Sequence, residues 1–150
     1  MDTAEAMVQR GRAEAIASIA HRGQTDKLGE SYINHPARVA EAFDWLDEPV
    51  AHCAAWLHDV IEDSDITAAD LRAAGVLPDI VDVVELMTRT ADVSDDEYYL
   101  KIKAHTIAVA VKLADIADNE AQWRLGQLDA ETRDRLAAKY AHAKEVLLAD

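Results

Sequence analysis

The chain has 150 residues, half of them hydrophobic, with 15 Lys and Arg against 29 Asp and Glu for a formal net charge of −14. That length is one domain's worth, and the apolar share excludes wholesale disorder. Nucleic acids and anionic membranes are disfavoured because both are bound through cations, whereas a free nucleotide stays open, since a metal ion or a few local cations can reverse the field inside one pocket.

Alanine is abundant, with 29 residues, against 5 Gly and 3 Pro. Alanine loses no side-chain entropy in a helix and few breakers interrupt the chain, so an all-α fold is expected. The single cysteine, Cys53, forms no internal disulfide, which suits a reducing compartment. No apolar run approaches the ~18 residues of a membrane span. The N-terminus lacks the basic start and apolar stretch of a signal peptide, so the expected location is cytoplasmic.

A first helix is predicted over Thr3 to His21, with Met7, Val8, Ile16, Ile19 and Ala20 as its apolar stripe. The polar stretch GQTDKLGESY, with Gly23 and Gly29, reads as a loop. Pro36 opens a second helix toward Trp45, and Pro49 opens a third that runs without interruption through AHCAAWLHDVIED. Thr67 and Asp70 form a capping box for a short helix that stops at Gly75. Pro78 starts the next helix, with Ile80, Val83, Val84 and Met87 facing inward. Ser94 and Glu97 cap another that runs to Ala104. TIAVAVKLADIADN is apolar on most sides and reads as a central helix. A last helix covers Glu131 to Leu148. The sequence thus predicts one all-α domain over residues 1–150.

Three polar islands interrupt this pattern. In AAWLHDVIEDSDIT an uninterrupted helix places His58, Asp59, Glu62 and Asp63 within an arc of roughly 140° at ~100° per residue. Packed carboxylates repel unless a cation or protons neutralise them. Imidazole with carboxylate suits Mn²⁺, Fe²⁺ or Zn²⁺. The spacing alone is also compatible with solvated acids at a helix end, although acids there oppose the macrodipole. In VKLADIADN, Lys112, Asp115 and Asn119 share one helix face, and a buried aspartate needs a partner such as a metal ion or Lys112. In HRGQTDKLGESYINHP, His35 stands at a loop-to-helix junction, flanked by Arg22 and Lys27.

Taken in order, AHRGQTDKLGESYINHPARVA, AAWLHDVIEDSDIT and VKLADIADN resemble the HD-domain metal-dependent phosphohydrolases, in particular the hydrolase domain of RelA/SpoT proteins and the small alarmone hydrolases. The resemblance covers roughly residues 12 to 125. It implies a helical bundle around one divalent ion, usually Mn²⁺, held by His35, His58, Asp59 and Asp115. It implies that Glu62 and Asp63 position and activate the attacking water. Arg22, Lys27, Tyr32, Lys112 and Asn119 are the candidate substrate-binding residues. The activity implied is guanosine 3′,5′-bis(diphosphate) 3′-pyrophosphohydrolase. A nucleotidase or phosphodiesterase of other substrate choice, or a non-catalytic metal-binding HD module, are the alternatives.

Two positions depart from that pattern. Asp26 stands where the alarmone hydrolases carry an arginine that packs on the base, and Ile116 follows Asp115 where they carry a basic residue. Both changes remove cations from a pocket for two pyrophosphates, and Arg89 is a candidate replacement. Asp26→Arg is expected to improve turnover of guanosine tetraphosphate. The chain ends soon after the hydrolase unit, so a stand-alone protein is expected, with a nucleotide or other small phosphate ester as ligand and a homodimer as one possible assembly. Trp45, Trp56, Trp123 and Cys53 are assigned to the core, and His21 lies near enough to the loop to reach the site.

Overall fold

The computed structural model describes residues 1–150 as ten helices without a strand: α1 (Thr3–Ala20), α2 (Asn34–Glu41), α3 (Pro49–Leu57), α4 (Val60–Asp63), α5 (Ala68–Ala73), α6 (Pro78–Met87), α7 (Asp95–Lys103), α8 (Thr106–Asn119), α9 (Gln122–Leu125) and α10 (Ala130–Leu148). The expected all-α class and single core are both present. Helix α3 is central and touches α1, α2, α6 and α8, while α10 lies across α7 and α8. No helix is long and apolar enough to cross a membrane.

Proline opens α3 and α6 at their first turns, where the missing N–H costs nothing. The Thr67–Asp70 capping box forms with both reciprocal bonds, and the Ser94 hydroxyl accepts from the Glu97 N–H. The predicted inward face of α6 is buried at all four positions.

Helix α1 keeps its predicted span but turns its face. Met7, Val8 and Ile19 are exposed, and the buried positions are Ala6, Gln9, Ala13 and Ala17. Small side chains let the α1 backbone approach α3, whose own inner residues include Ala51, Ala54 and Ala55. Gln9 is satisfied on that face, donating to the Gly75 carbonyl at 2.9 Å and accepting from the Leu77 N–H at 3.2 Å. Helix α2 stops at Glu41, well short of Trp45. Helix α9 falls in a stretch where no periodicity marked it. Trp123, assigned to the core, is exposed, with the Arg38 and Arg124 guanidinium carbons 4.9 and 6.0 Å from its ring centroid.

Candidate metal centre and substrate cavity

The third predicted helix is broken. Helix α3 ends at Leu57, Asp59 sits at φ −104°, ψ 0°, and α4 resumes at Val60. The break has a local cause in His58. Its Nδ1 lies 2.6 Å from the Ala55 carbonyl, a group that only accepts, so Nδ1 donates there and Nε2 is turned toward the Asp59 and Asp115 carboxylates. His58, Asp59, Glu62 and Asp63 therefore do not share the arc of one continuous helix. His58 and Asp59 point into the bundle from the break, while Glu62 and Asp63 continue on the short helix beyond it.

The ligand atoms of His35, His58 and Asp59 all lie within 4.8 Å of one another. Asp115, from α8, stands at the edge of that group, its Oδ1 2.8 Å from His35 Nε2 and 3.3 Å from His58 Nε2. His58 Nε2 is buried and makes no hydrogen bond, although Asp59 Oδ2 is only 3.0 Å away. The approach is close but misaligned for donation, which is the geometry of atoms converging on a shared point. Two imidazole nitrogens and two carboxylate oxygens are a donor set that fits a first-row divalent ion.

The carboxylates are held as anions. Burial would raise Asp115, but Lys112, His58 and the His35 hydrogen bond more than offset it and keep the carboxyl well below the usual range. Lys112 Nζ donates to Asp115 Oδ2 at 3.0 Å and Asn119 Nδ2 to Oδ1 at 3.0 Å. Asp59 is likewise lowered against burial, chiefly by His58. Tyr32 donates its phenol to Asp59 Oδ2 at 2.5 Å, and burial together with that carboxylate pushes its own pKa up. Glu62 and Asp63 reach solvent, yet partial burial and the neighbouring Asp59 raise both above ordinary carboxylates. The Arg89 N–H donates to Glu62 Oε1 at 2.8 Å and fixes its arm.

Two cavities flank the cluster. One of about 260 Å³ is lined by Lys27, Tyr32, Asn119, Arg124, Leu136 and Tyr140 among others; Tyr32 and Asn119 are also the residues bonded to Asp59 and Asp115. The other, about 190 Å³, is polar and holds Glu62, Arg89, Lys112 and Lys139. A larger hollow of about 500 Å³ between α6 and α7 contains none of the clustered ligands. Burial lowers the Lys27 pKa, and repulsion from Arg135 and Lys139 of α10 adds to it. These two α10 cations were not singled out from sequence, because nothing in the chain order announces that α10 crosses the site.

The loop between α1 and α2 is built by its own backbone. Gly23 and Gly29 adopt positive φ, 79° and 83°, and Thr25 bridges Ser31. Gln24 ties the loop to α4, donating to the Asp63 carbonyl at 2.8 Å. Its Oε1 lies 2.8 Å from His21 Nδ1, so buried His21 braces the loop through one ring nitrogen, while its Nε2 makes no hydrogen bond beside Tyr32. Arg22 is exposed at the end of α1 and lines neither flanking cavity. Asp26 turns inward, accepting from the Leu28 and Glu30 N–H groups at 2.9 and 3.0 Å, with Arg124 Nη2 3.5 Å away. A cation thus does stand in this cavity, supplied by α9. Ile116 is buried in the core and faces no pocket. Arg89 pairs its side chain with Asp95.

No family model matches the chain. Sequence relatives are found, however. A guanosine-3′,5′-bis(diphosphate) 3′-pyrophosphohydrolase of Haemophilus influenzae is 38% identical over 131 residues, covering 81% of this chain and 19% of the relative. One of the same name from Vibrio cholerae is 37% identical over 132 residues, again 81% and 19%. The bifunctional (p)ppGpp synthase/hydrolase SpoT of Escherichia coli is 35% identical over 136 residues, 84% and 19%. The chain therefore spans about a fifth of the length of these relatives. A solved structure, described as a metazoan ortholog of SpoT that hydrolyzes ppGpp, shares the fold at TM-score 0.74 and 24% identity, over 94% of this chain and 86% of that one. The resemblance carried by the three motifs is borne out: the homologues are SpoT/RelA-type hydrolases, and the helical architecture is that of the solved SpoT ortholog.

Proposed function

We propose that residues 1–150 form a metal-dependent phosphohydrolase unit acting on a nucleotide, and that it releases the 3′-pyrophosphate of guanosine 3′,5′-bis(diphosphate). The observation that carries this reading is the convergence of two imidazoles and two carboxylates between two cation-lined cavities. The names of the sequence relatives support the substrate. His35, His58, Asp59 and Asp115 hold the ion, taken here as Mn²⁺, with Fe²⁺ and Zn²⁺ accepting the same donors. Such an ion, when bound, polarises a phosphoryl oxygen and acidifies water.

The chain's own groups supply the rest. The Glu62 or Asp63 carboxylate takes the proton from the attacking water. Raised pKa values bring both closer to neutral pH, where a general base works best. Glu62 is aimed by the Arg89 N–H. Lys112 balances the charge of Asp115. Tyr32, Asn119 and Arg124 line the cavity for the nucleoside half, and Lys27, Arg135 and Lys139 offset the protein's overall negative field where the phosphates enter.

The test is anion-exchange separation of products after the Mn²⁺-loaded chain meets guanosine 3′,5′-bis(diphosphate), with simple nucleotides in parallel. GDP and pyrophosphate are the expected products. Turnover confined to another nucleotide keeps the metal mechanism and replaces the substrate. Silence with every phosphate ester, despite a bound ion, favours the non-catalytic metal module.

A further inference from the structure

Helix α8 brackets His35 with two carboxylates. Asp115 Oδ1 lies 2.8 Å from Nε2, and Asp118 Oδ2 lies 2.7 Å from Nδ1. Three residues apart on a helix, both reach the same neighbour, so one face of α8 meets both ring nitrogens. Asp115 and Nε2 belong to the converging group, whereas Asp118 stands behind the ring. Asp118 has further partners. Arg38 donates to it from Nε at 2.7 Å and Nη2 at 3.2 Å. Arg124 donates from Nη1 at 2.8 Å, and the same Nη1 lies 3.1 Å from Asn119 Oδ1. Arg124 lines the 260 Å³ cavity. One carboxylate therefore joins a metal-facing imidazole to a cavity-facing guanidinium.

We propose that Asp118 is a positioning residue for both halves of the site, keeping His35 Nδ1 as the donor so that Nε2 is presented to the ion, and fixing Arg124 on the cavity wall. This inference rests on the metal-dependent reading above. The physical basis is general: a ligating histidine is oriented by the acceptor of its other ring N–H, and that partner's loss weakens metal affinity. A guanidinium already held by fixed acceptors loses less freedom when it meets a ligand. Arg38 completes the charge balance around Asp118 from the side facing Trp123.

Calorimetric titration of Mn²⁺ into the full chain tests this without any need for turnover. Asp118→Asn is expected to bind the ion roughly 10- to 100-fold more weakly, and to show a raised KM for guanosine 3′,5′-bis(diphosphate). Asp118→Glu keeps the charged acceptor and should stay closer to wild type in ion affinity. Arg124→Gln should raise KM with Mn²⁺ affinity unchanged. Arg38→Gln should lower the melting temperature and leave Mn²⁺ affinity near wild type. A folded Asp118→Asn protein that binds Mn²⁺ like wild type overturns the proposal. So does Arg38→Gln if it reproduces the whole loss of affinity, because Asp118 would then act only by packing α2 on α8. Wild-type protein with no affinity for any divalent ion removes the metal reading and the role of Asp118 with it. Failure to turn over this nucleotide counts against the substrate alone, since the Mn²⁺ arm does not involve it.

Discussion

Asp26 is an acid because of what it bonds, and its surroundings reverse the expectation that arginine there would help. Its side chain is almost fully enclosed and satisfies two loop N–H groups beside Arg124. Asp26→Arg deletes both bonds and sets two guanidinium groups against each other, a loss of about 1–3 kcal/mol. A lower melting temperature with no gain in kcat/KM is the expected result; improved turnover would show that the loop rebuilds around an arginine. Asp63→Asn addresses the proposed proton acceptor and should lower kcat by about 10²–10⁴-fold while bound metal, measured by elemental analysis, stays constant. The pH dependence carries a definite sign. Glu62 and Asp63 both have raised pKa values, so the base form is lost earlier on acidification than for an ordinary carboxylate. The acid limb of kcat should therefore lie above the usual carboxylate range, and a limb at or below that range would remove this pair as the base. The convergence of His35, His58, Asp59 and Asp115 was legible because each sits in a short polar island within apolar sequence. Asp118 was not, because its partner His35 lies 83 residues away and only the packing of α2 on α8 brings them together.

The break between α3 and α4 shows how a helix can look continuous in sequence and still be interrupted. His58 and Asp59 have no strong aversion to helix, so propensity gave no warning; the imidazole bond to the Ala55 carbonyl is a local competitor that a hydrophobic pattern does not register. Helix α1 failed in the opposite sense. Its large apolar residues suggested one face, but close packing on α3 selected the alanines. The two faces make a direct comparison. Ala17 is wholly buried against the core, so Ala17→Leu overpacks it and should cost about 1–3 kcal/mol. Met7 is exposed, so Met7→Ala should stay within about 0.5 kcal/mol of wild type. Urea unfolding of the two variants checks this, and the reverse order of costs would restore the Met7 face to the core. Proline starts, capping boxes and the α6 stripe were legible because their signals are local. Helix α9 and the crossing of α10 were not, since they are set by what they cover.

Charge joins these parts into one linkage. The chain carries fourteen more acidic than basic side chains, and Asp59, Glu62, Asp63 and Asp115 crowd a single centre. An ion that binds this centre in the folded state and not in the unfolded one stabilises the whole molecule. At a hundred times its dissociation constant the gain is about 2.7 kcal/mol, or roughly 5–10 °C in melting temperature for a domain of this size. Melting curves in Mn²⁺ and in a chelator should differ by that amount. Diffuse screening is the competing cause, because any salt relieves self-repulsion in so acidic a chain. His58→Gln separates the two, since it removes one buried candidate ligand and alters the net charge by at most one unit of the fourteen. The response to sodium chloride should then persist in the variant while the Mn²⁺ increment largely disappears. An increment that survives intact in His58→Gln would mean that Mn²⁺ stabilises the fold through scattered surface acids, and the converging ligands would lose their claim to the ion.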